Sequence, residues 1–179
     1  MKLRRFLIIF MLFILLGNQV KAQMFSLGVN GLAAAAMVLN INGEIGLNHS
    51  NSIGVDLLLK PVRLDPRCSK MFVGRLYGRK YYKENFVGPF LGYSAGYLNY
   101  LIGDDNRKGY GALASLSLGY GFILSKRFCM NFEVGASLVY SIDRRYIVTP
   151  GLYDDDYLIT DRRVHLLPFP VSFSISYLF

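Results

Sequence analysis

The sequence predicts an all-β fold, an eight-stranded antiparallel up-and-down transmembrane β-barrel behind a cleaved signal peptide. Three observations carry that prediction. Apolar residues recur at every second position over long stretches, the one long apolar run stands at the amino end, and the connections between alternating stretches are short and long by turns. Composition agrees, because 53% hydrophobic residues with 18 Gly, 13 Tyr and 13 Phe but no Trp in 179 residues suit strands better than the Leu/Ala mixture of a helical membrane bundle. That length holds one domain.

The amino end is a targeting segment. Lys2, Arg4 and Arg5 precede an apolar stretch over residues 6–17, and Val20-Lys21-Ala22 places small or tolerated residues where a signal peptidase reads them. Twelve residues rise only about 18 Å as a helix, short of the roughly 30 Å hydrocarbon core, which disfavours a membrane anchor. Cleavage after Ala22 divides the chain into a signal peptide, 1–22, and an outer-membrane barrel, 23–179, exported to the bacterial outer membrane. Removing Lys2, Arg4, Arg5 and Lys21, with no acidic residue among the first 22, lowers the formal net charge from +8 to +4. So small and scattered a surplus excludes a nucleic-acid reading, which needs a basic face.

The first predicted strand, 25–32, leads into a short apolar connection at 33–37 that fits a barrel least well. In the second, Leu39, Ile41, Ile45 and Leu47 alternate with Asn40, Asn42, Glu44 and Gly46. Weaker alternation marks the third, fourth and fifth at 53–60, 71–82 and 86–101. The sixth sets Ala112, Ala114, Leu116, Leu118, Tyr120 and Phe122 against Gly111, Ser115, Ser117, Gly119 and Gly121, with Leu113 and Ile123 as exceptions. The seventh sets Phe128, Met130, Phe132, Val134, Ala136, Leu138 and Tyr140 against Cys129, Asn131, Glu133, Gly135, Ser137, Val139 and Ser141. In the last, Val171, Phe173, Ile175, Tyr177 and Phe179 alternate with Ser172, Ser174 and Ser176. Connections after the second, fourth and sixth strands are tight, whereas 61–70, 103–109 and 143–163 are longer and more polar, the pattern of periplasmic turns and external loops.

A soluble up-and-down barrel would turn its apolar face inward around an apolar ligand. Here the other face is Gly, Ser and Asn with isolated charges, too small and too sparsely charged for a solvated exterior but suited to the narrow interior of eight strands. The apolar face therefore goes to outer-membrane lipid, and the soluble periplasmic barrel stands as the alternative.

The closing residues 171–179 resemble the C-terminal signature of outer-membrane barrels, and the resemblance implies that Phe173, Ile175, Tyr177 and Phe179 are read by the barrel insertion machinery. More broadly, Asn42-Gly-Glu44-Ile-Gly-Leu47, Arg79 ahead of Phe86, residues 88–100, Gly119-Tyr-Gly-Phe-Ile-Leu-Ser-Lys-Arg127, Asn131-Phe-Glu-Val-Gly135 and Tyr177-Leu-Phe179 resemble a family of small Gram-negative outer-membrane barrels known only as a domain of unknown function. The resemblance implies the fold and no chemistry. Lys80-Tyr-Tyr82 stands where the family pattern is more apolar and leaves the register of the fourth strand open.

On the small-residue face the alternation places Glu44, Asp56, Arg75, Arg79 and Glu133. Inside a narrow barrel such charges must pair, so they are expected to form a charge network closing the lumen, with Arg79 meeting Glu133 or Glu44. The loop 143–163 holds five Asp and four Arg, and Tyr146, Tyr153, Asp154, Asp155, Asp156 and Tyr157 are its candidate contacts for an extracellular partner. Consecutive aspartates lack the ligand spacing of a calcium loop, and no metal or cofactor is expected. Cys68 and Cys129 fall at opposite ends of the topology and are expected as free thiols. No enzyme is expected. His49 lies in a turn, and the one catalytic alternative, a lipid-modifying site of His165 with Asp161 and Ser141, stays open beside a gated pore. Gly109-Tyr-Gly111-Ala-Leu-Ala114 matches a dinucleotide fingerprint only formally, since it opens a strand where a strand followed by a helix is required.

Overall fold

The computed structural model describes residues 25–60, 69–102, 107–147 and 157–179. Among them are β1 (Phe25–Asn30), α1 (Gly31–Ala35), β2 (Leu39–Gly46), β3 (Asn51–Lys60), β4 (Ser69–Tyr81), β5 (Gly88–Ile102), β6 (Arg107–Ser125), β7 (Phe128–Ile147), β8 (Tyr157–Leu167) and β9 (Val171–Leu178). From β1 to β7 each strand pairs antiparallel with the next, and β9 pairs with both β7 and β1. The sheet is thus a closed eight-stranded antiparallel barrel with one extra strand.

The extra strand comes from the segment expected as a long loop. β7 continues to Ile147, and β8 begins at Tyr157 and pairs with residues 137–147 of β7, while β9 pairs with residues 128–134 of the same strand. One wall position is therefore filled by two strands in succession. Between them stand Pro168 and Pro170, which lack the N–H that a ladder needs. Tyr146 and Tyr157, expected as loop residues, lie in paired strands, opposite Leu158 and Ile147. The proposed signal segment 1–22, Cys68, Tyr153 and Asp154 to Asp156 lie outside the described residues.

The first expected strand stops two residues early. Asn30 Oδ1 accepts from the backbone N–H of Leu32 at 3.0 Å and of Ala33 at 3.3 Å, an N-cap that commits the alanine-rich segment after it to one short helix, α1. The same carbonyl oxygen accepts from Phe173 N at 3.3 Å, tying the helix start to β9.

Alternation sorts the faces. Along β6 and β7 the odd positions from Gly111 to Asp143 point inward, and the even positions carry exposed Leu, Val, Phe and Tyr. Ile123, an exception to the sequence pattern, sits at a register shift before the turn and is exposed. In β4 the register left open resolves with Arg75, Tyr77, Arg79 and Tyr81 inward and Lys80 outward. Bulk inside is accommodated by glycine: a methyl group on Gly54 would collide with the Tyr77 ring, and one on Gly119 with that of Phe90.

Candidate functional site

The inward face divides into layers. Toward the short turns lie Tyr81, Phe86, Phe90 and Cys129, each at most 1% exposed. Above them is the charged layer, built from residues that ladder pairing brings to neighbouring heights: Asp56 opposite Arg75, Ser52 opposite Arg79, and Glu133 opposite Ser172. Arg79 bridges two acids, with Nη1 2.5 Å from Glu44 Oε2 and Nη2 bonded to Glu133. Arg75 Nε donates to Asp56 Oδ2 at 2.7 Å, and its Nη1 lies 3.8 Å from Glu133 Oε1. The five charged groups therefore form one continuous cluster, with Glu133 joining its two halves.

Neutral side chains complete it. Glu44 accepts from Ser52 Oγ and from the Tyr81 hydroxyl at 2.9 Å, Glu133 accepts from Ser117 Oγ at 2.8 Å, and Asp56 accepts from Asn40 Nδ2 at 2.5 Å. Aromatic rings cover the guanidinium faces, Arg79 lying 4.6 Å from the Tyr77 centroid and 4.7 Å from that of Phe90, and Arg75 5.2 Å from that of Phe169. Such contacts add to pairing where water is excluded. The charged side chains are 2–7% exposed, so the layer is a closely packed plug of side chains. Sequence reasoning missed Asn40, Ser52, Tyr77, Tyr81 and Ser117 as members, although the parity that placed the charges places them as well.

Above the charged layer the lumen turns apolar. Leu58 pairs with Val73, which pairs with Leu98, and Leu113 pairs with Val139. These five point inward at similar height and, with Met71, Tyr100, Asp143, Arg163, His165 and Phe169 among others, line a cavity of about 670 Å³. Leu113, an apparent exception in its strand, belongs to this belt.

The candidate catalytic residues meet only in part. Ser141 and His165 both line that cavity, and Asp161 is held by Arg163, whose Nε donates to it at 2.7 Å on the exposed rim. His49 is far off in the β2–β3 turn, 3.7 Å from Glu84. Among the described residues no cluster of His, Cys, Asp and Glu could hold a metal ion, and no helix is long and apolar enough to cross a membrane. Cys129 is buried and free. On β9 and the residue that follows it, Val171, Ile175 and Phe179 are exposed on the outer wall, with Phe173 and Tyr177 half-buried between them.

A family model described as "Protein of unknown function (DUF3575)" matches residues 8–179. No curated protein and no solved structure matches.

Proposed function

The chain belongs to the DUF3575 family, and from that premise we propose that it is a small outer-membrane β-barrel with a structural or surface-interaction role and a lumen closed by its charged plug. The observation that supports this reading is the outer wall. Leu116, Leu118, Val134 and Leu138 are 57–66% exposed, and Ile41, Val55, Leu57, Leu76 and Ile175 continue the same surface around the barrel. Soluble monomers rarely expose contiguous apolar patches beyond a few hundred Å². A wall of this kind suits lipid, and β3 to β7 have 10–20 residues each where about 9–11 cross a bilayer at a tilt.

Aromatic rings gather outside the turn end. Phe25 lies 5.5 Å from Phe179, Phe128 5.4 Å from Tyr177, and Tyr120 4.6 Å from Phe122, centroid to centroid. A girdle at that level matches the interfacial belt of a membrane barrel. In this reading residues 1–22 direct export, Phe173, Ile175, Tyr177 and Phe179 present the insertion signal, and the connection carrying Tyr153 and Asp154 to Asp156 offers its surface to an extracellular partner.

The test is expression of the full chain in a Gram-negative host, followed by membrane fractionation and SDS electrophoresis with and without boiling. Outer-membrane recovery with a heat-dependent mobility shift is the expected result. A soluble, unshifted protein overturns the reading and favours the soluble barrel.

A further inference from the structure

Within the membrane reading, the described residues leave the apolar layer of the lumen unsealed on one side. β8 pairs with β7 alone, and its other edge has no strand partner among the described residues. Where β1 would continue upward to cover that edge, the chain turns into α1 instead. Three cavities lie in succession from the outer wall past α1 to the lumen, each sharing lining residues with the next. A groove of about 740 Å³ on the outer wall shares Leu32 and Val171 with a passage of about 300 Å³ beneath α1. That passage shares Leu58, Met71 and Phe169 with the 670 Å³ cavity in the lumen. Leu32, at the mouth, is 48% exposed.

The inner cavity has the form of a ligand site: a volume in the usual range for one, a mainly apolar lining and a few polar groups at one end. Its floor is Phe169, seated on the Arg75 guanidinium above the charged plug. At the loop-side rim are Tyr100 and Asp143, bonded to each other; Arg163, bonded to Asp161, lies one inward step below them opposite Ser141, and His165 lies opposite Val139 at the level of the apolar belt. We propose that this half of the lumen binds one acyl chain of a membrane phospholipid. The chain enters sideways between β8, α1 and the start of β9, and its head group stays on the loop side of the belt, level with Arg163 and Asp161.

The source follows from continuity, because the outer groove opens on the apolar wall and its lining includes exposed Leu118 and Phe132. An apolar chain gains little on leaving lipid for an apolar lumen, so occupancy is reversible. Its advantage is the filling of a space that water has few partners to hold.

The protein has no Trp, so single-Trp variants report cleanly. Leu113→Trp places the reporter on the inner belt, Leu138→Trp on the outer wall beside it, and Phe90→Trp inside the lumen below the plug. Each full-length variant is reconstituted into phosphatidylcholine vesicles brominated along their acyl chains, and into unbrominated vesicles doped with brominated fatty acid. Folding is checked by the heat-dependent gel shift, with Val139→Trp as the second inner reporter should Leu113→Trp fail it. The expected result is loss of Leu113→Trp emission in brominated phospholipid comparable to that of Leu138→Trp, with Phe90→Trp setting the smaller loss transmitted through the wall. Quenching of the inner reporter no greater than that of Phe90→Trp overturns the proposal. Quenching by the fatty acid alone overturns the phospholipid source. Should Leu138→Trp also escape quenching, the membrane reading itself fails.

Discussion

Replacing Arg79 by Met tests the charged plug. Arg79 is 6% exposed and contacts both Glu44 and Glu133, so its loss leaves two buried acids without their shared cation. Removing one partner of a buried pair costs about 3–5 kcal/mol. Part is compensated here, since Glu44 keeps the Ser52 and Tyr81 hydroxyls and Glu133 keeps Ser117 Oγ, with Arg75 Nη1 at 3.8 Å. The lower end, about 3 kcal/mol, is therefore expected. In vesicles, with a urea slope of about 2 kcal/mol per molar, the unfolding midpoint falls by about 1.5 M, read from the folded fraction on unboiled gels. Adding Glu44→Gln and Glu133→Gln to Arg79→Met removes the orphaned charges and should restore a large part of the loss. A loss under about 1 kcal/mol, the range of exposed pairs, or a triple variant no better than the single, refutes the argument.

Three further predictions concern the wall, the seam and the thiol. Leu116→Arg, on the outer face, should destabilise the reconstituted barrel by about 2–4 kcal/mol if that position lies near mid-bilayer; an unchanged urea midpoint would place the outer face in water. Asn30→Ala removes the N-cap of α1 and its tie to Phe173 and should cost about 1–2 kcal/mol in the same titration, with faster proteolysis at α1. In a Cys68→Ser background, Cys129 should react with maleimide only after unfolding, because it is 0% exposed; labelling of the folded barrel at the rate of a free thiol contradicts the packing of the turn-side layer.

Period-two alternation made the wall legible because outward-facing and lumen-facing positions carry opposite side chains, so β6 and β7 declare both faces residue by residue. The plug was legible for the same reason: Glu44, Asp56, Arg75, Arg79 and Glu133 stand on the parity of their Gly and Ser neighbours. β8 was hidden because Asp161-Arg162-Arg163 puts charge on both faces of a strand that, among the described residues, pairs on one edge only. Neither of its faces meets the selection that gives a wall strand its signature. α1 was hidden by length, since five residues provide too little periodicity to separate a helical turn from an apolar connection.

The two halves of the lumen follow from the same eight-strand geometry filled in opposite ways. Below, long charged chains and tyrosines reach across over glycines, and each buried charge finds an opposite one. Above, Leu58, Val73, Leu98, Leu113 and Val139 reach less far and leave space between them. Apolar residues on an inward face would be costly against a water-filled lumen and have no partner in a charged one, so their clustering at one height requires an apolar neighbour there. Ala33 and the half-buried Phe169 supply part of it. Under the acyl-chain proposal the remainder of that contact comes from lipid, on the side where β8 has no second strand partner among the described residues.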